Sequence, residues 1–149
     1  MQHRGMSARL LIVCKGNICR SPMAEVLLRE RLANTNLNIE SAGLAAMRGA
    51  PIDPRAEASL QRHGLTAASH VGRQANKQML QQSDLVLAME QRQVAAVLAL
   101  CPTLRGRVLM LSHWVGGEDI EDPYGRRQEV FDAAFDRIDE CVRAWHTKL

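Results

Sequence analysis

Four short segments that are predicted to be strands, separated by segments with helical spacing, constrain this chain more than any other feature. They cover residues 9–14, 37–41, 84–89 and 108–111. The first and third read RLLIVC and DLVLAM, and such continuous apolar runs are typical of strands buried on both faces. Strands that alternate with helices favour a parallel sheet covered on both faces. We therefore expect an α/β fold in which residues 9–149 form a single domain with a four-stranded parallel sheet, preceded by a loose leader of residues 1–8.

Start and stop signals predict the helices between these strands. The first begins at Ser21 and Pro22, with the serine as N-cap and the proline at the first helical position. The second runs from Asp53 and Pro54 to Gly64. Further helices are expected at about residues 76–82, 91–100 and 127–145. The last has an apolar stripe at helical spacing, which predicts that one of its faces is buried.

Composition excludes several classes of protein. Of the 149 residues, 46% are hydrophobic and 23% charged, as in a soluble globular protein. The net charge of +3 without a basic tract, and the absence of aromatic residues before Trp114, argue against nucleic-acid binding. No apolar run is long enough for a signal peptide or a membrane span, so we expect a cytoplasmic protein with no membrane insertion. The four cysteines lack C-x-x-C spacing, and we expect no metal and no cofactor.

The segment CKGNICRS, from Cys14 to Ser21, contains the candidate catalytic and anion-binding residues. It lies between a predicted buried strand and a predicted helix, so its five central residues can curl into an anion-binding nest of backbone N–H groups: Lys15, Gly16, Asn17, Ile18 and Cys19. Arg20 can bind two oxygens of a phosphate, and Ser21 can donate a hydrogen bond to the Cys14 sulfur. This setting favours a Cys14 thiolate that attacks phosphorus. The alternative is that Cys14 only ends an apolar strand.

A phosphocysteine route also needs an acid for the leaving oxygen. Asp122 is the candidate, because it lies in a loop that follows the fourth strand. A nearby sulfur anion and phosphate would favour its protonated form. The alternative is that Asp122 and Pro123 only mark the turn before the last helix, and spacing alone favours this reading.

The segment CKGNICRSPMAE near the start, together with DPY near the end, resembles the low-molecular-weight protein tyrosine phosphatases. The stretches SAG, HW and DPYG, with residues 104–108, are similar to the bacterial branch associated with capsule and exopolysaccharide export. The resemblance implies a flavodoxin-like fold and hydrolysis of phosphotyrosine through a phosphocysteine. It also implies a bacterial tyrosine kinase as the protein substrate and phosphate or another oxyanion in the site.

The resemblance also implies roles for single residues. Cys14 is expected to be the nucleophile, Arg20 to hold the phosphate, and Asp122 to act as acid and then as base. Asn17 is expected in a strained conformation held by Ser41 and His70. Two residues are expected to form the wall beside the substrate ring: Leu44 and Tyr124. Lys15 departs from the family, where an apolar residue is commoner, and predicts a preference for acidic surroundings in the substrate.

Three alternatives stay open at this stage. An arsenate reductase shares the fold and the anion nest, but residues 74–93 contain none of the cysteines that its disulfide relay needs. A non-catalytic phosphotyrosine-binding protein is disfavoured by the presence of Cys14, Arg20 and Asp122 together. Cys19 either forms a protective disulfide with Cys14 under oxidation or is a small buried loop residue.

Overall fold

The computed structural model describes residues 8–149 and contains one parallel sheet with the strand order β2-β1-β3-β4. The strands are β1 (Ala8–Cys14), β2 (Leu37–Gly43), β3 (Leu85–Ala88) and β4 (Val108–Met110). The helices are α1 (Arg20–Arg31), α2 (Pro54–Gln61), α3 (Lys77–Gln81), α4 (Gln91–Leu100) and α5 (Gln128–His146). Two 3₁₀ turns cover Pro102–Leu104 and Leu111–Trp114. The predicted α/β fold with four parallel strands is confirmed.

Both faces of the sheet are buried, as the apolar runs predict. In β1, Leu10 and Ile12 pack into a cluster with α1, α2 and α5, while Leu11 and Val13 pack with α3 and α4 on the opposite face. The alternation follows from the two-residue repeat of a strand. The stripe of α5 belongs to the first cluster, where Cys141 and Val142 are both buried.

Most helix boundaries follow their sequence signals. The Asp53 carboxylate accepts from the Arg55 backbone N–H at 2.8 Å at the start of α2, and the Asn76 side chain accepts from Met79 N–H at 2.8 Å at the start of α3. Helix α4 has the predicted bounds. A reciprocal capping box starts it, in which the Gln93 side chain accepts from the Glu90 N–H.

Several predicted boundaries are wrong: β3 is shorter than residues 84–89 at both ends, and α2 ends at Gln61, before Gly64. Helix α1 begins at Arg20 with Cys19 at the cap position, so Ser21 is not the N-cap; its hydroxyl contacts the Cys14 sulfur instead. Strand β1 begins at Ala8, which pairs with Leu37, so Ala8 is not part of a leader, and residues 1–7 lie outside the described residues. Strand β2 continues beyond residue 41 because Ala42 and Gly43 keep pairing with β1. Strand β4 ends at Met110, since the next four residues form a 3₁₀ turn.

The strand order places a crevice at the carboxyl end of β1. The chain passes from β1 to β2 on one side and later adds β3 on the other side. Ligands of open parallel sheets bind at such a switch point, where helices diverge from neighbouring strands. Here Cys14 ends β1, and Glu90 follows shortly after β3.

Candidate active site

The loop between β1 and α1, residues 14–19, is held by the carbonyl groups of its backbone. Every one of these carbonyls accepts a hydrogen bond from outside the loop. The donors are N–H groups of Leu44, Ala45, Met47, Asp53 and Met23 and the His70 side chain, at 2.6–3.3 Å. The peptide bonds are trans, so the N–H and C=O of each point in opposite directions. Because the carbonyls are bound on the outside, the N–H groups face the inside of the loop.

The inward N–H groups form the predicted nest. The Asn17 N–H lies 3.3 Å from the Cys14 sulfur. Within residues 8–149, four further N–H groups of the loop have no acceptor: Lys15, Gly16, Ile18 and Cys19. A run of free backbone donors next to a helix N-terminus is an arrangement that binds tetrahedral anions.

Asn17 keeps the loop in this shape. Its φ of 59° lies in the left-handed region, the one such value among the described non-glycine residues. The side-chain Nδ2 donates to Ser21 at 2.8 Å and to Ser41 at 3.0 Å, and Oδ1 accepts from the Arg73 backbone N–H at 3.0 Å. His70 Nε2 donates to the Asn17 carbonyl at 2.6 Å. Ser41 and His70 thus both contact Asn17, although the amide donates to Ser41 rather than the reverse.

The Cys14 sulfur lies at the centre of the loop and is buried. Ser21 Oγ lies 2.9 Å from it. Because Ser21 Oγ already accepts from Asn17, its hydroxyl hydrogen is free to point at the sulfur. The hydroxyl and the Asn17 N–H therefore both stabilise a thiolate at this position.

Arg20 is buried and oriented by groups from distant parts of the chain. Its NH1 donates to Glu90 Oε2 and to the Ile120 carbonyl, both at 2.6 Å. Its NH2 lies 3.5 Å from Asp122 Oδ2, and among the described residues its Nε has no partner. One edge of the guanidinium is thus anchored, and the other edge is available for two oxygens of a phosphate.

Glu90 is the important residue that sequence reasoning missed. Burial raises the pKa of its carboxyl, but hydrogen bonds and charges of Arg20 and Arg92 outweigh this, so the pKa lies below its ordinary value. Glu90 is therefore an ionised counter-ion of Arg20. A usable signal was present, because an acidic residue shortly after a buried strand lies at the same sheet edge as Cys14.

A pocket of about 130 Å³ opens above the loop. Cys14, Arg20, Asp122 and Tyr124 all line it, together with Lys15, Gly16, Ile18, Cys19, Ala45 and Met47. The expected wall residue Leu44 does not line it. Leu44 turns towards the cluster on the α3–α4 face, so Ala45 and Met47 take its place. Asp122 is about one-third exposed, and its Oδ1 accepts from the Tyr124 N–H at 3.1 Å.

Cys19 lies in the same loop as a free thiol. Burial, the Asp53 carboxylate and Cys14 raise its pKa well above the ordinary value. Cys19 is therefore a neutral thiol beside the candidate nucleophile. Within residues 8–149, no cluster of three metal-binding side chains occurs, and no helix is long and apolar enough to cross a membrane.

Comparisons with known proteins agree with this geometry. The family model described as low molecular weight phosphotyrosine protein phosphatase matches residues 9–149. The chain is 36% identical over 144 residues to the low molecular weight protein-tyrosine-phosphatase Wzb of Salmonella typhimurium, covering 97% of this chain and 95% of that one.

Two solved structures are also similar. Vibrio vulnificus Wzb in complex with benzylphosphonate matches with a TM-score of 0.91 and 35% identity, covering 95% of this chain and 99% of that one. The YwlE arginine phosphatase from Geobacillus stearothermophilus matches with a TM-score of 0.88 and 32% identity, covering 95% and 92%. On this evidence the chain belongs to the low molecular weight protein-tyrosine phosphatase family, and like the relatives named protein-tyrosine-phosphatases it is a phosphoric monoester hydrolase.

Proposed function

We propose that this protein hydrolyses phosphotyrosine through a phosphocysteine intermediate, with Cys14 as nucleophile, Arg20 as phosphate ligand and Asp122 as acid and base. The observation that carries the proposal is that these three side chains line one pocket, above a loop of free backbone donors. A thiolate, an oxyanion-binding nest and a proton donor are the three groups that such a displacement needs.

In the first step, the Cys14 thiolate attacks phosphorus and a sulfur–phosphorus bond forms. The bond from phosphorus to the tyrosine oxygen breaks, and the Asp122 carboxyl gives its proton to that oxygen. The loop N–H groups and the free edge of Arg20 bind the equatorial oxygens, where negative charge is concentrated in the transition state.

In the second step, water attacks the phosphorus of the phosphocysteine. The Asp122 carboxylate takes a proton from that water, and the sulfur–phosphorus bond breaks. Inorganic phosphate leaves, and Cys14 returns to the thiolate. Ser21 lies 2.9 Å from the sulfur, so its hydroxyl stabilises the departing thiolate.

The walls of the pocket support an aromatic leaving group. Ile18, Met47 and Tyr124 present mainly apolar surface, which suits a phenyl ring better than the N–H donors of a phosphorylated guanidinium. The similar Wzb from Vibrio vulnificus binds benzylphosphonate, which carries a ring one atom away from phosphorus. Arsenate reduction is disfavoured because residues 74–93 contain no cysteine.

The protein substrate that we propose is a tyrosine-phosphorylated bacterial kinase of capsule or exopolysaccharide export, in the cytoplasm. The resemblance to the bacterial branch and the similarity to Wzb of Salmonella typhimurium support this assignment. The proposal needs neither a metal nor a cofactor, because protein groups supply the nucleophile, the acid and the oxyanion donors.

The test is release of phosphate from a phosphotyrosine peptide by the wild type and by Asp122→Asn. We expect turnover by the wild type and a loss of about 10²–10³-fold in kcat for the variant, because the leaving phenolate is no longer protonated. Equal turnover would remove Asp122 from the mechanism. A peptide that carries phosphoarginine is the matched substrate control, and faster turnover of that peptide would overturn the assignment to phosphotyrosine.

A further inference from the structure

Two cations beside the pocket have no anionic partner. Lys15 lines the pocket and is exposed, and Arg48 follows Met47, another lining residue, and is exposed as well. Within residues 8–149, neither forms an ion pair, whereas Arg92 and Arg126 are paired with Glu90 and Glu121. The surface around the phosphate site therefore carries positive charge that the protein does not neutralise.

The loop of residues 44–50 carries Arg48 and is hydrogen-bonded to the proposed catalytic loop, residues 14–19, which carries Lys15. Its backbone is bound to the catalytic loop on one side, where the Met47 N–H donates to the Gly16 carbonyl at 3.0 Å. On the other side, the Gly49 N–H donates to the Gly72 carbonyl at 2.9 Å. A Cβ on Gly72 would lie 2.4 Å from the Met47 carbonyl oxygen, so only glycine allows this close approach.

A second cleft, of about 350 Å³, lies on the far side of this loop. Arg48, Gly72, Arg73, Gln74 and Asn76 line it. No acidic residue is among them, and Arg73 is already bound to the Ser41 carbonyl and to Glu40. Met47 thus lines the catalytic pocket and its neighbour Arg48 lines this cleft, where Arg48 is the charge without an ion pair.

We propose that Lys15 and Arg48 are specificity-determining residues that bind acidic side chains flanking the phosphotyrosine of the substrate. The inference rests on the proposed function and adds the chemical class of the peptide. Both cations are exposed, so each pair with a carboxylate contributes little by itself and is screened by salt. Their combined effect is on capture of the peptide rather than on the chemical steps.

The experiment uses three phosphotyrosine peptides that differ only in the flanking residues, which are Glu, Gln or Lys on both sides. The readout is the ratio of kcat/KM for the Glu peptide to that for the Gln peptide, taken within each protein variant, so that effects on the chemistry cancel. For the wild type at 50 mM salt we expect a ratio of about five to ten, which falls towards one at 0.5 M salt. The Lys peptide should be the poorest substrate.

The variants are Arg48→Met alone and Lys15→Met with Arg48→Met. The matched control is Arg105→Met, which removes an exposed arginine just before β4, at the opposite edge of the sheet. We expect the ratio to fall about threefold in Arg48→Met, to fall close to one in the double variant, and to stay unchanged in the control.

Several outcomes would overturn the inference. The first is an equal ratio for the wild type and the double variant. The second is an equal fall of the ratio in the Arg105 control, which would indicate general attraction by net charge. The third is a loss of kcat/KM between Arg48→Met and the double variant that is the same for all three peptides, which would indicate that Lys15 contacts the phosphate alone. If no phosphotyrosine peptide is turned over, the proposed function fails instead.

Discussion

The catalytic loop and the loop that carries Asp122 meet in one pocket, but they are held very differently. In the catalytic loop, Asn17 is fully buried, and every carbonyl of residues 14–19 has a partner outside the loop. In the acid loop, residues 118–125, Tyr124 is 54% exposed. The proposed nucleophile and phosphate site are thus held rigidly by the fold, while the proposed acid lies on a less constrained segment.

The attachment of the acid loop changes at Ile120. Up to that residue, its backbone is tied to the rest of the protein: the Ile120 N–H donates to Met89, and its carbonyl accepts from Arg20. Beyond it, the hydrogen bonds at Asp122 and Pro123 stay within the loop and the next turn, and the ion pair of Asp122 with Arg20 is 3.5 Å long. The proposed acid Asp122 is therefore held by fewer contacts with the rest of the protein than the loop of Cys14.

Replacement of the proposed nucleophile, Cys14, in the rigid loop should have the largest effect. Cys14→Ser is expected to lower kcat for a phosphotyrosine peptide by at least about 10⁴-fold, because a neutral hydroxyl replaces a thiolate. This loss should exceed that of Asp122→Asn, since the thiolate can still attack when the acid is missing. Cys101→Ser is the matched control, because Cys101 is a buried cysteine on the other face of the sheet. Substantial turnover by Cys14→Ser would contradict the assignment.

Asn17 tests the rigidity of the catalytic loop. Asn17→Ala should lower the free energy of unfolding by about 3 kcal/mol, since alanine is strained at positive φ and the side-chain hydrogen bonds are lost. Asn17→Gly should recover about 1 kcal/mol of this loss, because glycine accepts the φ of 59°. Denaturant titration measures both. In the acid loop, Glu121→Gln should change stability by less than about 0.5 kcal/mol; a larger change there would contradict the comparison.

Substitution of Glu90 tests whether the anchoring of one edge of the Arg20 guanidinium is needed for activity. Glu90→Gln should lower kcat/KM for a phosphotyrosine peptide by about 10- to 100-fold, because the guanidinium loses its buried counter-ion and its fixed orientation. Glu121→Gln, which removes an acid from the exposed pair with Arg126, is the matched control and should change the rate less than about twofold. Equal rates for both variants would mean that Arg20 needs no anchor.

The pH dependence of stability gives the smallest effect. Because hydrogen bonds and charges of Arg20 and Arg92 hold the pKa of Glu90 below its ordinary value of 4.5, its stabilising contribution is present above about pH 5. It is lost as the pH falls through the lower folded-state pKa. The difference in unfolding free energy between wild type and Glu90→Gln should therefore narrow on acidification. A difference that stays constant from pH 7 to pH 3 would contradict this linkage.

Local signals predicted the elements well, because their causes are local. Apolar runs mark β1, β3 and β4, and Asp53 and Asn76 cap α2 and α3 from within one turn. Helix α1 is the exception. Serine is a residue type favoured at N-caps, but the Ser21 hydroxyl contacts the Cys14 sulfur and accepts a hydrogen bond from the Asn17 amide. A functional site thus overrode a local preference, as is common where several groups compete for one donor.

Sequence by itself determined the alternation of strands and helices, the place of Cys14 at a strand end, and the loop of five residues before Arg20. These features depend on neighbours along the chain. Tertiary structure alone decided that Glu90 and the Ile120 carbonyl anchor Arg20, and that Ala45 and Met47 line the pocket in place of Leu44. Such contacts join residues up to 100 positions apart. No periodicity encodes them, because they form only when the strand order brings the ends of β1 and β3 and the acid loop to one edge of the sheet.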